Sequence, residues 1–133
     1  MFVNLSNHAL ETWSPAQRDA ARALGHGEPG ELAHPLPLID PRADTETVVA
    51  LARTTADEAL ATGARGAVVA GDYTFTLALV AALQARGVRC YAATTARDVT
   101  VERAPDGSSV KRSVFVFVRW REYSLREWEK RTS

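Results

Sequence analysis

At 133 residues, 46% hydrophobic and 24% charged, the chain suits one domain with a real core and is too short for two. Its 16 basic and 16 acidic residues cancel, which argues against coating long nucleic acid, and its single cysteine, Cys90, excludes a disulfide framework or a cysteine-based zinc site. With no signal peptide after Met1 and no apolar run of membrane-spanning length, a cytoplasmic protein without membrane contact is expected.

FVNLS, Phe2 to Ser6, reads as a short first strand opening into the polar loop Asn7-His8. Ser14 as N-cap, Pro15 at the first helical position and Gln17 closing a capping box predict a helix that runs to Leu24 and stops at Gly25. Glu31 to Asp40, ELAHPLPLID, is extended but broken by Pro35 and Pro37, so it is an edge strand or an ordered loop. A second helix starts near Asp44 and carries Val48, Val49, Ala52 and Leu60. GAVVAGDY, Gly66 to Tyr73, is a short apolar strand, and Phe75 to Arg86 is a helix closed by Gly87. That helix is apolar almost all round, which suggests packing between the sheet and a partner subunit. VRCYAATT is the next strand. VTVER, the turn Pro105-Asp106-Gly107 and VKRSVFVFVRWREY then read as an antiparallel hairpin, and the charged tail from Ser124 as a short helix. In the last strand Phe115, Phe117, Arg119, Arg121 and Tyr123 share one face by alternation, Val114, Val116, Val118 and Trp120 the other. Apolar residues on both faces predict a buried middle.

Alternating strands and helices predict one α/β domain over residues 1–133, Rossmann-like. It has a mostly parallel sheet, right-handed crossovers, helices on both faces and a C-terminal antiparallel hairpin.

Ligands of such sheets bind outside the carboxyl ends of the strands. Three ends are legible: Ser6-Asn7-His8, Gly71-Asp72-Tyr73-Thr74 and Thr94-Thr95-Ala96-Arg97. Together they offer hydroxyls, an amide, an imidazole, a carboxylate and a guanidinium, an inventory that suits a ligand with phosphate and ribose. Arg97 can grip a phosphate through paired N–H groups, and Thr94 and Thr95 can donate to its oxygens. Gly71 lets backbone come close, and the helix near Thr74 presents free N–H groups. Asp72 suits a ribose hydroxyl or an adenine amino group. Each residue also has a plain structural reading. Asp72 caps the third helix, Thr94-Thr95 ends a strand, Arg97 pairs with Asp98 or Glu102, and His8 is a surface histidine. Arg119 and Arg121 emerge from the last strand, Arg119 as a second phosphate contact or, like Arg121, as a solvated edge. His8, His26 and His34 lack ligand spacing, so no metal or other cofactor is expected. No GxGxxG or Walker sequence is present.

FVNLSNH, VVAGDYTFTLALV, GVRCYAATTARDV, the Asp-Gly turn and FVRWREY together resemble the small CRISPR-associated proteins of type III systems, over Phe2 to Tyr123. The resemblance implies a CARF-like domain that binds cyclic oligoadenylate as a homodimer or larger assembly. It further implies a metal-independent ring nuclease in which the ribose 2′-hydroxyl attacks the adjacent phosphate. Arg97 would stabilise phosphate charge and His8 or Asp72 would assist proton transfer, with Ser6, Asn7, Gly71, Thr74, Thr94, Thr95 and Arg119 binding the ring. A binder that does not cut, and an interaction subunit whose polar rim is incidental, are the alternatives.

Overall fold

A computed structural model describes residues 1–125. Five strands, β1 (Phe2–Leu5), β2 (Pro29–Glu31), β3 (Gly66–Val69), β4 (Arg89–Arg103) and β5 (Ser109–Glu122), form one sheet in the order β2-β1-β3-β4-β5. The first four run parallel and β5 returns antiparallel along β4. The helices are α1 (Pro15–Ala23), α2 (Thr45–Ala61) and α3 (Tyr73–Gln84). The protein is therefore mixed α/β, mostly parallel, with the hairpin at its C-terminal side, as the alternation of elements predicts. The helix expected from Ser124 onward falls beyond residue 125, outside the described residues.

Each helix begins where a side chain satisfies one of its free backbone donors. Ser14 Oγ accepts from the Gln17 N–H at 3.1 Å, Asp44 from Thr47 at 2.8 Å and Asp72 from Phe75 at 2.9 Å. Along the strands, successive side chains enter different cores. Phe2, Val68 and Tyr91 pack with Trp13, Ala21 and Trp120 on the α1 face, whereas Val3, Leu5, Ala67, Val69 and Cys90 pack beneath α2 and α3.

The apolar character of α3 has an explanation within the chain, since a second side of it packs against α2. Small residues Ala52, Ala56 and Ala59 let the two helices close on one core with Leu79, Val80 and Leu83, leaving Tyr73 and Leu77 exposed. Of the two forms expected for the proline stretch, edge strand or ordered loop, the structure shows loop from Leu32 to Asp40, with the edge strand β2 just before it. Finally, β4 does not stop at Thr95 but continues to Arg103 as a ribbon with β5. No proline or glycine interrupts it, and threonine is at ease in a strand. Beyond Tyr91 it exchanges the support of β3 for that of β5 alone.

The ribbon contains a bulge. Thr94 pairs with Arg119 but Thr95 pairs with Phe117, so Val118 has no partner. One extra residue reverses the alternation beyond it. Trp120 thereby joins Phe117 on the α1 face, their rings 5.1 Å apart, instead of sharing a face with Val114 and Val116. The middle of β5 is not buried either: Val114, Phe115, Val116 and Val118 are all exposed.

Candidate functional site

The strand order places a topological switch between β1 and β3, because the chain leaves β1 for β2 on one side and returns with β3 on the other. Leu5 and Val69 are paired, so the loops that follow both strands start level at the carboxyl edge. Two clefts open there and share Ser6 and Ala70. Both are of a size that holds small ligands.

The first, about 650 Å³, has both polar and apolar groups in its lining. Asn4, Ser6, Asn7, Gly71 and Asp72 line it, with Glu31 and the proline loop Leu32–Ile39 as its outer wall. Asn4 is buried, and its amide organises the β1 loop: Nδ2 donates to the His8 carbonyl at 2.7 Å, while Oδ1 accepts from the Ser6 hydroxyl at 2.6 Å and its N–H at 3.2 Å. Gly71 has φ 141°, a conformation that suits glycine and brings bare backbone to the cleft. Asp72 spends its carboxylate on α3. It accepts from the Phe75 N–H and from the Thr74 hydroxyl at 2.7 Å, and these bonds hold its pKa below the usual carboxylate range.

The second cleft, about 400 Å³, lies on the α1 side. Ser6, His8 and Thr95 contribute polar groups, and Trp13, Phe115 and Phe117 supply aromatic walls. His8 is exposed at its rim.

The structure thus brings together Ser6, Asn7, Gly71 and Asp72 around one cleft, and Ser6, His8 and Thr95 around the other. Thr74 touches the first through Asp72. Thr94, Arg97 and Arg119 line neither cleft. The Thr94 hydroxyl closes the bulge, donating to the Arg119 carbonyl at 3.1 Å and accepting from the Arg119 N–H at 3.2 Å. Arg97 sits out on the ribbon, where Nε and Nη2 donate to Ser113 Oγ at 2.9 and 2.8 Å. That corrects the placement of Thr94-Thr95-Ala96-Arg97: the segment is mid-strand, not the strand end expected of it. Among the described residues no lysine or arginine lines either cleft, and the groups that could meet an anion there are hydroxyls, an imidazole and the N–H groups at the start of α3.

Sequence reasoning missed Asn4 and the aromatic wall. Asn4 carried a signal, being the one polar residue in the apolar strand FVNL. Trp13 and Phe115 carried none, since only the topology brings them together. Among the described residues, no group of three or more His, Cys, Asp or Glu side chains is placed to hold a metal ion, and no helix is long and apolar enough to cross a membrane.

Fold and clefts define a mixed α/β protein with two clefts of small-ligand size at the carboxyl edge of its parallel strands. By its sequence the chain belongs to the family described as Uncharacterized protein MJ1673 family, whose model matches residues 1–121. No curated protein and no solved structure matches it.

Proposed function

We propose that the paired clefts bind cyclic oligoadenylate and that the protein is a Rossmann-like, CARF-like member of type III CRISPR defence that opens this ring. One observation carries the reading: a cleft that sets Asn4, Ser6, Asn7 and Asp72 against an aliphatic, proline-rich wall meets an aromatic-walled cleft at Ser6 and Ala70 on the switch-point edge. Such a pair suits a ligand that alternates sugar-phosphate with flat bases. Adenine stacks on aromatic rings with little demand for hydrogen bonds, which fits Phe115 and Phe117. Ribose and phosphate oxygens suit Ser6, Asn7 and the N–H groups from Gly71 to Thr74. A homodimer offers the same rim twice to a symmetric ring.

In the cutting reaction the ribose 2′-oxygen attacks phosphorus as its proton leaves. The P–O5′ bond breaks and the 5′-oxygen gains a proton, giving a 2′,3′-cyclic phosphate and a free 5′-hydroxyl. The nucleophile belongs to the substrate, so the protein's work is alignment and charge stabilisation. His8 is the residue for proton transfer. Asp72, engaged as a helix cap, serves better as an acceptor for a ribose hydroxyl, and this favours a second reading in which the ring is bound and not cut.

Incubation of the purified protein with labelled cyclic tetra-adenylate and cyclic hexa-adenylate, with and without EDTA, tests both readings. Saturable binding and linear products bearing 2′,3′-cyclic phosphate in EDTA are expected. Tight binding with no product after long single-turnover incubation supports the second reading. Binding of neither ring overturns the proposal.

A further inference from the structure

Ser14 and Gln17 read in the sequence as a reciprocal capping box, but only half of that box forms. The Gln17 N–H donates to Ser14 Oγ at 3.1 Å, while among the described residues the Gln17 carboxamide makes no return bond to Ser14. The bonds that Gln17 does make run through its backbone, whose carbonyl also accepts from Trp120 Nε1 at 3.4 Å. They tie it to the aromatic cluster in which the Trp13 and Trp120 rings lie 5.1 Å apart, and the residue lines the second cleft, partly buried. Other polar groups of that cleft are spent or differently shaped. Ser6 donates to Asn4 Oδ1 and Thr12 to the Ala9 carbonyl, each at 2.6 Å, and Ser14 holds the cap. Thr95 offers a single oxygen, and the His8 imidazole directs its two nitrogens apart. Only the carboxamide holds a donor and an acceptor side by side in one plane.

We propose that Gln17 selects the base in the second cleft by pairing with the N6 amino group and N7 of adenine. The inference rests on the reading above, in which a base stacks there. Stacking alone tells no base from another, since every base has a π-face, so selection needs a side chain that reads an edge. The amide oxygen accepts from N6–H and the amide nitrogen donates to N7, the two-bond match that a glutamine makes with adenine. Guanine and hypoxanthine carry O6 in place of the amino group, so the same edge presents two acceptors. Turning the carboxamide over rescues one bond and breaks the other. Pyrimidines have no N7 at all. The choice of edge matters, because on the N1 edge a turned carboxamide meets hypoxanthine as well as it meets adenine.

Amide and indole chemical shifts of the labelled full chain, followed as AMP, IMP or 7-deaza-AMP is added, test it. AMP should move the Trp13 indole and the Gln17 side-chain amide together. IMP and 7-deaza-AMP each lack one member of the pair and should bind about tenfold more weakly. Gln17→Ala should keep the parent's urea midpoint, because both backbone bonds remain. It should bind all three nucleotides with the affinity that the parent shows for IMP. AMP matched by either analogue in the parent, a preference for AMP that survives in Gln17→Ala, or AMP shifts that leave Gln17 unmoved would overturn the proposal. Each of those results leaves binding of the ring intact. Failure of the underlying reading looks different: neither cleft shifts with cyclic tetra-adenylate or cyclic hexa-adenylate, and that result overturns both.

Discussion

Asn4 concentrates the logic of the site in one side chain. It occupies a core position in β1, yet three of its hydrogen bonds shape the Ser6–His8 loop. Replacing it with alanine strands the His8 carbonyl and the Ser6 donors, at about 1–3 kcal/mol. Asn4→Ala should therefore lower the urea midpoint and weaken ligand binding together, whereas Ser6→Ala should weaken binding with a smaller loss of stability. His26 makes a prediction of its own. It lies at the other end of the strands, stacked on Phe2 and bonded to the Tyr91 hydroxyl at 2.8 Å. Burial, aided by the Arg89 guanidinium, lowers its pKa below the ordinary 6.5. The unfolded chain then binds the proton more readily, so stability is fully present above the ordinary value and falls as pH drops through the folded pKa. Urea midpoints compared at about pH 7.5 and about pH 5 should show this loss, and His26→Gln should flatten it. Burial also pushes the Cys90 thiol up to about 12, so it should resist alkylation in the native protein at neutral pH and react on unfolding.

At the scale of elements, the bulge absorbs one residue of β5 so that Phe117 and Trp120 share a face. Val118 is that residue, and deleting it should close the ladder with every other pair in place, Trp120 still in the α1 core and Glu122 still beside Arg89, which it meets at 2.8 Å. The deletion should therefore cost far less than Trp120→Ala, about 3–5 kcal/mol, read from tryptophan emission and a denaturant melt. Ser14→Ala, by contrast, removes one cap and should cost about 1 kcal/mol. These elements also mark what the sequence discloses. Helix starts are local chemistry, so Ser14, Asp44 and Asp72 announced α1, α2 and α3, and the alternation of apolar runs announced the parallel strands. A bulge has no local mark, because VFVFVRW alternates equally well without one. The polar Thr94-Thr95-Ala96-Arg97 imitates a strand end, and only the loss of β3 as a neighbour explains why it is a ribbon. In the site, Ser6, Asn7, Gly71 and Asp72 were legible since loops after parallel strands share an edge. The aromatic wall needs the crossing of α1 with the far strand, which no short stretch encodes.

At the scale of the molecule, the switch point between β1 and β3 holds the paired clefts, and the β4–β5 ribbon runs on past the second of them. Phe115 and Thr95 belong to both the ribbon and the second cleft, so a ligand there touches both the sheet and its extension. The central claim is that the paired clefts bind cyclic oligoadenylate. Amide chemical shifts of the labelled protein, followed while unlabelled cyclic tetra-adenylate or hexa-adenylate is added, test it most directly. The largest changes are predicted at Ser6–His8, at Gly71–Thr74 and at the Trp13 indole. Shifts confined to the ribbon, or none with either ring, would contradict it.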